Sequence, residues 1–205
     1  MLLYVYLIII SILVSLFRRG KLNNLAQISL KRIELILLAF LIQAGLIFLG
    51  ARKVEFVLNY SSYALIFSYV VLLMAVWYNK NLKGMNIITL GIAFNFMVIV
   101  ANGGRMPILL GSLYKAGLDD FALILKEGSY VTHTLITEKT LFRFLADVIP
   151  LPSPLPDPSV ISFGDFLMFC GVFSLIQNAM LKKKQNLESR SQNEEEQIID
   201  NVLNN

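Results

Sequence analysis

The polar and apolar positions of this chain fall into long blocks. Apolar runs occupy residues 1–17 (MLLYVYLIIISILVSLF), 34–51 (ELILLAFLIQAGLIFLGA), 60–78 (YSSYALIFSYVVLLMAVWY), 86–103 (NIITLGIAFNFMVIVANG) and 160–181 (VISFGDFLMFCGVFSLIQNAML). Within them only Glu34 and Asp165 carry charge, each within a turn or two of an end. A bilayer core is crossed by about 20 mainly apolar residues, with roughly 17–25 tolerated. Backbone N–H and C=O groups find no water in hydrocarbon, so each run predicts a helix. The expected fold is all-α, a polytopic membrane helix bundle of about five transmembrane helices within residues 1–181.

The connections differ in kind. Residues 104–159 form the one long loop. Inside it, PILLGSLYKAGLDDFALILKEG mixes aliphatic and charged positions, which predicts one or two short helices lying at the membrane interface. Further on, IPLPSPLPDPS places Pro150, Pro152, Pro154, Pro156 and Pro158 at every second position. Proline fixes φ and cannot continue a helix, so this strip is expected to be extended and stiff. Residues 182–205 are rich in Gln, Asn, Glu and Lys and are expected to form a disordered cytoplasmic tail, with a short helix in EEEQIIDNVL.

Composition agrees with a membrane location: 56% of residues are hydrophobic and 16% charged, against roughly 45–50% and 25% in soluble domains. Orientation follows from the basic residues of the short loops. Arg18, Arg19, Lys21, Lys31 and Arg32, then Lys80 and Lys83, then Lys182, Lys183 and Lys184 fall on one side of a five-span chain, and Arg52 and Lys53 on the other. The N-terminus is therefore expected outside and the C-terminus in the cytoplasm, with 104–159 extracytoplasmic. The first run lacks a basic start and a small-residue cleavage site, so it is expected to be a retained span and not a signal peptide. The net charge of +4 does not mark a nucleic-acid partner, because the basic residues flank spans and meet anionic lipid head groups there. Cys170 is the sole cysteine, which excludes an intramolecular disulfide and predicts a packing role.

Candidate chemistry is confined to a few positions. Gln43, Asn95 and Asn102 lie inside runs, and Gly91, Asn95, Val98 and Asn102 share a helical face. Asparagines there act either as interhelical glue or as part of a site. Ser162 followed by Asp165 matches the reciprocal capping box, and an acid in a first turn suits the helix dipole. An ionisable group at the edge of a span is also a site candidate. Gly164 and Gly171, seven apart, give the last helix a smooth side for close packing. Asn102-Gly103-Gly104 ends the fourth helix, which places Arg105 at the outer surface, level with Asp165 and near Asp147. A guanidinium paired with one or both carboxylates is expected there, the alternative being lipid phosphate. His133 stands without a second nitrogen or sulfur ligand, so no metal site is expected.

The string Asn102-Gly103-Gly104-Arg105-Met106-Pro107, then His133, Phe144 to Pro150 with Asp147, and Ser159 to Asp165 with Gly171, resembles an uncharacterised family of small bacterial multi-pass membrane proteins. That resemblance implies membrane residence and no particular activity. A fainter likeness is to lipoprotein signal peptidases, which would make Asp147 and Asp165 an aspartyl dyad; the Asn-x-x-Asp-Arg motif of that family is missing here. The leading expectation is a non-enzymatic membrane protein without cofactor. Its outward-facing site would comprise Asn95, Asn102, Arg105, His133, Asp147 and Asp165 and would bind a small molecule, a lipid head group or a membrane-protein partner. An intramembrane aspartyl hydrolase and a transporter or transporter accessory subunit are the alternatives.

Overall fold

The structure, a computed structural model, describes residues 2–155 and 157–181. The tail expected to be disordered, and Pro156 of the proline strip, lie outside these. The described residues form an all-α membrane-type helix bundle carrying a small capping layer. Its long helices are α1 (Leu2–Phe17), α3 (Ile33–Ala51), α4 (Glu55–Tyr78), α5 (Met85–Ala101) and α8 (Phe163–Leu181), and a single turn, α2 (Leu22–Leu25), lies between α1 and α3. Three of these helices, α3, α4 and α8, with 19, 24 and 19 residues, are long and apolar enough to cross a membrane. The other two expected spans, α1 and α5, have 16 and 17 residues, or roughly 24–26 Å of rise. α4 starts five residues before its apolar run because Glu55 in the first turn suits the helix dipole.

The helices do not pack in chain order. α3 lies against α4 and α4 against α5. α5 meets α8 backbone to backbone, Gly91 against Gly164 and Gly84 against Gly171. α1 then docks beside α8 and runs parallel to it. Tyr4 meets Phe169 edge to face at one end. Nearer the other end, the Gln177 side chain donates to Ser11 O at 2.7 Å and accepts from Arg18 at 2.9 Å. Beyond it, Lys21 N donates to Met180 O at 3.1 Å. Cys170, expected to pack, is instead exposed on α8.

The long loop is more ordered than expected. Of the one or two short helices expected there, two are present, α6 (Leu110–Lys115) and α7 (Asp119–Lys126), and they fold onto a core of Ile108, Leu113, Ala122 and Leu125. They are joined by β1 (Met106–Ile108) and β2 (His133–Leu135), paired in parallel, and by a 3-10 turn at Arg143–Leu145. The proline strip does not run straight back to the membrane. β3 (Ile149–Leu151) and β4 (Ser159–Ile161) pair antiparallel, so the chain doubles over between them. Three-residue strands carry too little alternation to be read from the sequence. A second core joins this layer to the bundle: Leu46, Val57, Leu65, Val98 and Ile99 pack with Met106, Val131, Leu145 and Ala146.

Candidate functional site

Asp165 sits in the first turn of α8 and is held from four directions. Its backbone N–H donates to Ser162 Oγ at 2.9 Å, and Ser162 N–H donates to Asp165 Oδ2 at 3.0 Å. This is the capping box predicted from Ser162 and Asp165. The rest of the arrangement crosses between helices: Asn95 Nδ2 donates to Asp165 Oδ1 at 2.9 Å, and Ser162 Oγ donates to Asn95 Oδ1 at 2.8 Å. Tyr4 Oη adds a longer contact to Asp165 Oδ1 at 3.4 Å. Asn95 on α5 thus reads both residues of the cap on α8, closing a ring of hydrogen bonds inside the bundle. Gly164 makes this possible, because a Cβ there would overlap the Asn95 carboxamide oxygen.

Asp147 belongs to a second group. Its backbone bonds to β1, with Asp147 N donating to Pro107 O at 3.0 Å and Leu109 N donating to Asp147 O at 2.9 Å. β2 flanks the other edge of β1 and brings His133 opposite Met106. The two side chains meet across the strand, His133 Nε2 lying 3.3 Å from Asp147 Oδ2. His133 Nδ1 faces Thr132 Oγ1 at 2.9 Å. With the proton on Nε2, the imidazole donates to Asp147 and accepts from Thr132. Phe121 and Tyr130 stand beside the imidazole ring at centroid distances of 6.2 and 5.6 Å. The Asp147 carboxylate is buried, its side chain 5% exposed, and its Oδ1 has no hydrogen-bond partner. Burial pushes the carboxyl up to about 6; the His133 hydrogen bond and charge oppose this, and the charge of Asp165 adds to it.

The six residues expected to form one cluster are therefore distributed. Asn95 and Asp165 form the first group, and His133 and Asp147 the second. Asn102 is a clamp: its carboxamide accepts from Leu141 N at 2.9 Å and donates to Leu141 O at 3.1 Å, pinning the loop to the end of α5. Arg105 joins neither group. Among the described residues it makes no ion pair, which corrects the expected bridge to Asp147 or Asp165. Those carboxylates are already engaged, Asp147 with His133 and Asp165 with its cap and Asn95. Tyr69 of α4, absent from the sequence-based set, lies within electrostatic reach of both carboxylates. Tyr4 was also missed. Both are hydroxyl-bearing aromatics inside apolar runs, and such a hydroxyl usually finds a polar partner when buried.

A helical membrane-type bundle whose capping layer sets a half-buried histidine against a buried aspartate is the class these observations define. The chain matches the model of a family of unknown function, DUF5317, over residues 27–177 and belongs to that family. It is also similar to a curated protein of Thermotoga maritima described as uncharacterized, with 29% identity over 166 residues, covering 80% of this chain and 84% of the relative. No solved structure matches.

Proposed function

We propose that this is a non-enzymatic multi-pass membrane protein that binds a small cationic or hydrogen-bond-donating ligand at the His133–Asp147 pair on its outward face. One observation carries the reading: Asp147 Oδ1 is buried without a donor. A buried, unsatisfied carboxylate oxygen is costly, and a bound N–H would relieve that cost. The Phe121 and Tyr130 rings beside His133 add apolar and π surface suited to an ammonium group. The test is a thermal-shift panel of alkali cations and short primary amines on the detergent-purified full chain. At least one member is expected to raise the melting temperature of the wild type and leave Asp147→Asn unmoved. A panel without any Asp147-dependent shift sinks the reading.

The hydrolase alternative draws on the influence of Asp165 on Asp147. Against it, each carboxylate has its own partners, and no hydrogen bond joins the two among the described residues. A shared-proton dyad needs that contact.

The orientation proposed has the N-terminus and the 104–159 layer outside and the C-terminus in the cytoplasm. It rests on the basic loops and on the placement of residues 18–33 beside the end of α8. In a Cys170→Ala background, a cysteine introduced at the exposed Asp120 is expected to react with an impermeant thiol reagent on intact cells. One introduced at the exposed Lys83 is expected to react only after lysis. The reverse pattern would overturn the orientation.

A further inference from the structure

A groove of about 430 Å³ opens beside the upper part of the bundle, lined by Phe94 and Met97 of α5, Phe142, Phe144 and Leu145 around the 3-10 turn, and Phe163 at the start of α8. Its volume lies within the range of ligand clefts, roughly 300–1,000 Å³. The wall is built and held in place. Asn102 clamps Leu141 through both backbone groups, and Leu145 is buried in the core shared with the bundle. Yet Phe144, next to the buried Leu145, is 72% exposed. Arg143 lies in sequence between two of the lining phenylalanines and is itself exposed. Among the described residues its side chain makes one hydrogen bond, Nε donating to Thr140 O at 3.3 Å, and no carboxylate pairs with it.

An apolar groove with an exposed guanidinium next to its lining residues in sequence, unpaired by any carboxylate among the described residues, fits an occupant with an apolar chain and an anionic end. We infer that the groove holds an acyl chain of an anionic phospholipid, with its phosphate on Arg143. A guanidinium presents planar, paired donors to phosphate oxygens, and the aromatic wall lies beside spans that place it in the bilayer. The inference rests on the membrane-embedded reading above and is independent of the ligand assigned to Asp147.

The experiment uses the full chain with Trp77→Phe, to remove the native tryptophan, and Phe144→Trp as reporter. The protein is reconstituted in phosphatidylcholine vesicles containing either brominated phosphatidylglycerol or brominated phosphatidylcholine. Phosphatidylglycerol is expected to quench at a roughly fivefold lower mole fraction, the size of preference one basic side chain gives an anionic lipid. Adding Arg143→Glu should abolish the preference, and Arg143→Lys should keep part of it. A second reporter, Phe67→Trp on the exposed face of α4, should show no preference. Equal quenching by the two lipids at position 144 would reduce the groove to ordinary bilayer contact and overturn the inference. So would a preference that survives Arg143→Glu. Absence of quenching by either lipid, at both reporters, would overturn the membrane-embedded reading as well.

Discussion

Replacing Asp147 with asparagine is expected to flatten the pH dependence of stability between about pH 4 and pH 6. In the folded protein the Asp147 carboxyl is pushed up from its ordinary 3.8 to about 6. Between these values the native state holds a proton that the unfolded chain has released, so stability falls as pH rises through the window. Below it both states are protonated, and the penalty is absent; above it the penalty is complete. The gap corresponds to roughly 3 kcal/mol, or about 6–12 °C in melting temperature for a domain of this size. Asparagine does not titrate. Whatever its fixed cost in hydrogen bonding, the difference between variant and wild type should move by that amount in the variant's favour from pH 4 to pH 7. Carboxylates remote from position 147 titrate alike in both proteins and cancel. Melting curves that stay parallel across the window would show that burial does not control this group. A residue whose charge weakens the fold and also offers a vacant acceptor matches the usual exchange of stability for function.

The second large effect belongs to the glycines between α5 and α8. A Cβ on Gly164 would overlap the Asn95 carboxamide and come within 2.6 Å of Gly91 O. One on Gly91 would overlap Gly164 O, with the Met168 backbone N 2.9 Å away. Seven residues along, a Cβ on Gly171 would stand 2.8 Å from Ile88 N and 2.9 Å from Gly84 O. Backbone cannot turn aside as a flexible side chain does, so the helices must separate. Gly164→Ala should therefore cost the overpacking penalty of about 1–3 kcal/mol. It should also break the Asn95 hydrogen bonds to Ser162 and Asp165, at about 1 kcal/mol each. Gly45 in α3 supplies the contrast, since nothing lies within 4 Å of its Cβ position. Gly45→Ala should be neutral or stabilising by roughly 0.5–1 kcal/mol, because alanine loses less backbone freedom in a helix. Thermal denaturation of the two variants in one detergent decides the matter, and similar melting temperatures would refute the close-contact account.

What the sequence disclosed, and what it hid, depends on the distance over which each feature is encoded. The apolar runs marked all five long helices because a sustained apolar composition is a local property of each segment. The smooth side of α8 was visible in Gly164 and Gly171, and the capping box in Ser162 and Asp165, since both lie within a few turns of one helix. Partners encoded at long range were not visible. Arg105 and Asp165 share a level in the chain's path, but Asp165 is claimed by Asn95, 70 residues away, and by Tyr4, 161 residues away. Asp147 found His133 because two short segments flank β1, and a three-residue strand leaves no pattern to read. The proline strip misled for a related reason. Each proline forbids helix and permits extended chain, but the reversal between β3 and β4 is fixed by their pairing.

The docking of α1 against α8 orders events during synthesis. Of these two helices, α1 is made first and meets α8 only after the residues between them have been made. At roughly 5–20 residues per second, the intervening stretch takes on the order of 10–30 s. Through that interval the buried hydroxyls of Ser11 and Ser15 on α1 have no α8 beside them. Translation that stops anywhere before Phe163 leaves α1 without the Gln177 bond and the Met180 carbonyl that hold it. The α1–α8 seam thus closes late, after the segments between the two helices are already made.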